Sequence, residues 1–103
     1  MQKTQNEKKA NILIAIAHPN RMRILEQLRN DTKCNCELAP ALGLEQSNLS
    51  RHLKVLTQAG VLISWKDGLR VNFKVADERI FEILDLAESA ALRTVPVQEL
   101  EEA

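Results

Sequence analysis

The chain is expected to be a mostly α-helical fold with one β-hairpin, and three features predict it. Apolar residues recur at three- and four-residue spacing through most of the 103 residues. Only the stretch Val61–Val75 switches to strand-like alternation, around Asp67-Gly68. Between them, Ala39–Lys74 reads in order as helix, tight turn, second helix and hairpin. That order defines a winged helix-turn-helix of α+β class, in which the hairpin is the wing.

Residues 1–6 are polar and are expected to be a disordered leader. The folded domain is expected to run from residue 7 to residue 92. Its first helix, about Glu7 to Ala17, carries Ile12, Leu13, Ile14 and Ile16 nearly all round, more apolar surface than one face can bury. His18-Pro19-Asn20 breaks it. Pro19 suits the first turn of a second helix, to about Arg29, with His18 as its cap. Asn30-Asp31-Thr32-Lys33 is a turn cluster. A short third helix spans about Leu38 to Leu42 and stops at Gly43. The fourth runs from Gln46 to about Ala59, with Leu49, Leu53 and Leu56 as its core stripe and Gly60 as its stop. In the hairpin, Trp65, Val71, Phe73 and Val75 are expected on one face, with Trp65 as packing anchor. Ser64, Lys66, Arg70, Asn72 and Lys74 fall on the other, and Asp67-Gly68 forms the two-residue turn. Asp77 is the expected N-cap of a last helix to Leu92. Pro96 ends regular structure, leaving residues 93–103 as a loose acidic tail.

This length suits one domain, since single cores typically hold about 100–150 residues. Trp65, Phe73 and Phe81 are the only Trp, Tyr or Phe residues, so the core must be aliphatic. No apolar run approaches the roughly 20 residues that cross a bilayer. The start MQKTQNEKKA lacks the apolar stretch of a signal peptide, so the expected location is the cytoplasm, without membrane contact. Formal net charge is zero, but its distribution is uneven. Residues 46–74 carry Arg51, Lys54, Lys66, Arg70 and Lys74 against Asp67 alone, a net of +4; residues 76–103 carry a net of −6. A basic middle beside an acidic end fits one surface for nucleic acid and one turned away.

With its leucines buried, the fourth helix turns Gln46, Ser47, Ser50, Arg51 and Lys54 outward. Gln can pair with adenine and Arg with guanine, and Ser or Asn48 can reach bases or phosphates. Lys66 and Arg70 flank the hairpin tip, where a wing meets backbone or minor groove. His52 is expected as a phosphate contact or as a wedge against the helix-turn-helix. A winged helix used only for protein contacts would lack these outward cations. No Ser-His-acid or Cys-His spacing, no C-x-x-C and no phosphate loop is present, so an enzyme is not expected.

LGLEQSNLSRHLKVLTQAGVL followed by a hairpin resembles the ArsR/SmtB family of winged-helix, metal- or thiol-responsive repressors, and AHPNRMRILEQL resembles the family's second helix. The resemblance covers about Ala10 to Ala91. It implies a homodimer joined through the first and last helices, palindromic half-sites in double-stranded operator DNA, and repression relieved by an inducer. The chain departs from the family at Glu45, where Ser is usual as the cap of the recognition helix.

The family's last-helix zinc-type site, D-x-H then H-x-x-E, is not carried here. Asp77 matches, but Arg79, Ala90 and Arg93 replace the two His and the Glu. The family's other common site is a C-x-C before the third helix, and Cys34, Cys36 and Glu37 match it. These are the only two cysteines. Soft thiolates select thiophilic ions such as As(III), Sb(III), Cd(II) or Pb(II). On a helix, positions i and i+2 point about 200° apart, whereas on an extended segment they share a face. Pro40 cannot donate to the carbonyl of Cys36 and disfavours helix at Ala39. The third helix is therefore expected to start near Glu37 or Leu38, leaving Cys34–Cys36 partly extended. A third thiol is missing, and three readings stay open: an ion site with a borrowed ligand, a redox pair, or two packing residues. No resident cofactor is expected.

Overall fold

The computed structural model describes residues 4–94. Its elements are α1 (Gln5–Ile16), α2 (Pro19–Gln27), β1 (Lys33–Cys34), α3 (Asn35–Leu42), α4 (Gln46–Gln58), β2 (Leu62–Asp67), β3 (Arg70–Val75) and α5 (Arg79–Arg93). The predicted winged helix-turn-helix is present. The expected tail lies, beyond Thr94, outside the described residues.

Local chemistry sets most boundaries. α1 starts two residues before the expected Glu7, because Thr4 and Glu7 exchange side-chain-to-amide hydrogen bonds of 3.2 and 3.0 Å across its first turn. The expected disordered leader therefore contains the first residues of this helix. His18 caps α2 as expected, its Nδ1 accepting from the Asn20 amide at 3.0 Å. At the end of α4, Gly60 adopts φ +79, and the Val61 amide reaches back to the Leu56 carbonyl at 3.0 Å. Asp77 accepts from the Arg79 amide at 2.9 Å and so holds the start of α5. Its carboxyl is lowered to about 2, chiefly by the hydrogen bonds from the Arg79 guanidinium and amide.

The core is aliphatic: Ala15 and Ile16, Ile24, Leu25 and Leu28, Leu38 and Leu42, and Leu49, Leu53 and Leu56 join Phe73 and Phe81 in one cluster. Its shape depends on arginines that the sequence did not single out. Arg21 donates to the carbonyls of Ile14 and Ala15, tying α2 to the end of α1. Arg23 donates to the Leu42 carbonyl at 2.8 Å and satisfies the end of α3. Arg29 lies 4.6 Å over the Phe81 ring and pairs with Asp85, fastening α5 to α2. Beyond that clamp α5 leaves the body, and every residue from Asp85 to Thr94 is exposed.

Three expectations are corrected. First, α3 begins at Asn35, not near Leu38. Pro40 removes one ladder bond but does not unwind the turn before it, because Glu37 Oε1 accepts from the Cys34 amide at 3.1 Å and anchors the start. Only Cys34 is extended (φ −83, ψ 162); Cys36 lies in the first helical turn. Second, the turn is Gly68-Leu69, since Asp67 pairs with Arg70. Gly68 has φ +65 and Leu69 does not have a positive φ, the pattern of a II′ turn with Gly first. Third, that one-residue shift flips β2. Ser64 pairs with Phe73 and Trp65 with Asn72, so Trp65 shares a face with Asn72 and Arg70 and is 41% exposed. Phe73 is the packing anchor instead.

A candidate nucleic-acid interface and its thiol site

α4 presents Gln46, Ser47, Ser50, Arg51 and Lys54 to solvent, with Asn48 half-buried. The stripe of Leu49, Leu53 and Leu56 fixes that face. Arg51 makes only a long contact of 3.4 Å to Asn48 Oδ1, so its guanidinium is free to take another partner. Glu45 precedes the helix without a side-chain cap bond, leaving the first amides of α4 uncapped.

His52 is not on this surface. It is 9% exposed, its ring centroid lies 4.5 Å from that of His18, and its Nδ1 accepts from Arg21 Nε at 3.3 Å. Burial, then the charges of His18, Arg21 and Arg51, push its pKa below the usual histidine value of 6.5. It is the wedge of the two expected roles. The reason is spacing: His52 stands three residues after Leu49 and four before Leu56, within the core stripe.

The two wing cations fall on opposite faces of the sheet. Lys66 pairs with Val71 on the Phe73 face, where Ser64 and Val71 border a groove shared with Ser50, Lys54 and Thr57 of α4. Arg70 lies on the Trp65 face and turns toward the cysteines.

β1 was not among the expected elements. It adds a third strand in the order β1-β3-β2, pairing Lys33 with Phe73 and Cys34 with Asn72. Cys34 thus belongs to the wing sheet and to the start of α3 at once. Cys34 is fully buried and Cys36 exposed, and a disulfide joins them, with Cα atoms 5.1 Å apart. The strand-to-helix bend between them brings the sulfurs together. Arg70 Nη2 donates to Cys34 Sγ and to Glu37 Oε1, each at 3.2 Å. No group of three His, Cys, Asp or Glu arranged to hold a metal ion occurs among the described residues. Nor is any described helix long and apolar enough to cross a membrane.

With this geometry in place, comparison with known proteins identifies the lineage. Residues 18–64, from the cap of α2 into β2, match the model described as bacterial regulatory protein, arsR family. The chain is 39% identical over 88 residues to the HTH-type transcriptional regulator Rv0081 of Mycobacterium tuberculosis, a match covering 84% of this chain and 77% of that one. The chain belongs to the ArsR family. Its fold superposes on the Rv0081 crystal structure with a TM-score of 0.75, covering 99% of this chain and all of the other at 35% identity. It is also 37% identical to the regulator NmtR of M. tuberculosis over 76% of this chain and 65% of that protein, so it spans just under two thirds of that relative. A probable mercury resistance operon repressor of Streptomyces lividans is 26% identical, over 85% of this chain and 70% of that one. The ArsR-family chain is accordingly a DNA-binding transcriptional regulator of the winged helix-turn-helix type, not an enzyme.

Proposed function

We propose that this regulator is a cytoplasmic homodimeric repressor that binds palindromic operator DNA and releases it when a thiophilic ion engages Cys34 and Cys36. As(III) and Sb(III), or Cd(II) and Pb(II), are the ions suited to that sulfur pair. Gln46, Ser47, Asn48, Ser50 and Arg51 face bases, and Lys54 and Lys66 face phosphates; Arg70, on the other face of the sheet and held by Glu37 and Cys34, is not assigned to the DNA. The observation that carries the reading is the placement of both sulfurs together at the root of the wing, one buried and one exposed. The likeness to a mercury resistance repressor agrees with a thiophilic inducer. The dimer is supported by unburied apolar side chains on the first and last helices: Ile14 is 67% exposed, Leu86 71% and Leu92 83%. A protruding half-helix carrying such residues gains stability chiefly by packing.

A second reading has its own support. Two sulfurs already joined, with no third ligand gathered around them among the described residues, suit a repressor switched by oxidation.

Cys36→Ser tests both, since the exposed position tolerates the change and serine is a poor ligand for soft ions. The variant should hold DNA as wild type does. It should lose release by arsenite under reductant if the ion reading is right, or release by oxidant if the redox reading is right. Wild type and variant responding alike to every thiophile and oxidant would make the cysteines packing residues and refute both.

A further inference from the structure

α4 has two flanks, and only one of them meets the wing. Ser50, Lys54 and Thr57 border the groove toward the sheet. Asn48 and Arg51 line a second cleft, of about 380 Å3, against His18, Asn20 and Arg21 at the α1–α2 junction, with His52 beside them. By helical spacing the two sets of α4 positions stand about 120° apart, with Ser47 midway between them. The second cleft has a one-sided chemistry. None of its lining side chains is acidic. Its acceptors are engaged by neighbours: Asn20 Oδ1 takes Arg23 at 3.1 Å, and Asn48 Oδ1 takes the long contact from Arg51. Nδ1 of His18 accepts from the Asn20 amide and Nδ1 of His52 from Arg21 Nε, so each neutral ring carries its proton on Nε2. Arg21 gives Nε to His52 and Nη1 to the carbonyls of Ile14 and Ala15, and Nη2 makes none of these bonds. The groups left over are all donors: Nε2–H of His18, the side-chain amides of Asn20 and Asn48, Nη2 of Arg21 and most of the Arg51 guanidinium. Burial, then the charges of His18, Arg21 and Arg51, lower the pKa of His52, so the potential around it is positive.

We infer that this cleft takes a backbone phosphate of the operator, so that His18 and Asn20 at the α1–α2 junction clasp the DNA on the flank of α4 away from the wing. This rests on the reading that α4 faces DNA. A set of donors without acceptors suits an anion with several oxygens, and hydrogen bonds to a charged oxygen are the strong ones. Continuity names the anion. Arg51 belongs both to the outward face of α4 and to the cleft, so an anion held there lies beside whatever that face reads. A helix seated in the major groove has a phosphate strand on each side. Contacts from the wing side alone hold one strand; the cleft supplies the other, and contacts to both fix how the helix is seated.

Asn20→Asp tests the clasp. The change keeps an oxygen for Arg23 and puts a carboxylate in the first turn of α2, where it suits the helix dipole, so Tm should hold or rise. The probe is a duplex selected from a random library by the wild type. Asn20→Asp should bind it about tenfold or more weakly, the loss of a hydrogen bond to a charged group. Ethylation of single phosphates locates the contact. In Asn20→Asp one phosphate per half-site should stop interfering, and it should differ from the one silenced by Lys66→Ala. Wild-type affinity in Asn20→Asp overturns the clasp. Weaker binding with the wild-type ethylation pattern, or loss at the Lys66 phosphate, also overturns it, since the new charge would then act from a distance. So does a free anion in the cleft: inorganic phosphate at matched ionic strength would raise the Tm of wild type but not of Asn20→Asp, with no ethylated phosphate answering to Asn20. Arg51→Ala on the same duplex separates the two readings. If it loses binding while the clasp fails, the DNA-facing side of α4 stands; if it binds as wild type, that reading falls with the clasp.

Discussion

Arg51 and His52 are consecutive, yet their truncation should damage different properties. Arg51 is exposed and has only the 3.4 Å contact to Asn48, so Arg51→Ala should change folding stability by no more than about 0.5 kcal/mol. If it reads a base, the loss of binding is about 1–3 kcal/mol, or roughly 5–150-fold in Kd. If it meets a phosphate instead, the slope of affinity against salt should fall by about 0.9. His52→Ala should do the reverse. It empties a buried position against His18 and leaves Arg21 Nε without its acceptor, in the class of core truncations that cost about 2 kcal/mol or more. For a domain of this size that lowers Tm by about 8 °C or more. The pH dependence follows from the lowered pKa of His52. Between its folded value and the unfolded value of 6.5 the unfolded chain binds more protons, so stability falls as pH drops below that value and levels off once the folded pKa is passed. The gap between wild type and His52→Ala should therefore be widest above pH 7 and narrow toward pH 5. Fluorescence anisotropy at several salt concentrations and thermal melts from pH 5 to 8 measure all of this. Unchanged operator affinity in Arg51→Ala would refute the assigned helix face, and a gap that widens on acidification would refute the buried neutral histidine.

Two further outcomes are expected. Glu45→Ser supplies the cap that α4 lacks but gives up a carboxylate at a helix N-terminus; each is worth up to about 1 kcal/mol, so Tm should barely move. DNA affinity should nevertheless rise severalfold as a negative charge leaves the interface, and weaker binding in an anisotropy titration would count against the placement of α4. Light scattering at micromolar concentration should give a dimer for wild type and a monomer for Leu86→Glu, because Leu86 is 71% exposed on the protruding half of α5; a monomeric wild type would sink the dimer.

What could be read from the sequence divides by the distance over which each signal acts. The leucine stripe of α4, the His18 cap and the Gly60 stop are set within a few residues, and each appears where spacing and residue type put it. His52 was legible too, for its spacing from Leu49 and Leu56 is that of a core residue; its polarity obscured the signal. The hairpin faces were missed for a one-residue reason, since Gly68 is the first turn residue and not the second. The thiol site was half legible. C-x-C spacing and a Glu three residues after Cys34 are local, and they mark the pair and the helix start. β1 has no local signature: two residues become a strand only because β3 passes beside them. The Arg70 contact depends on that pairing and spans 36 residues of sequence. This bears on mechanism. One route from the cysteines to the DNA-facing helix runs through α3, which packs on α4. The paired strands supply a shorter route, because Cys34 and Arg70 sit in the same sheet as the wing, and the sulfur is one hydrogen bond from a wing cation.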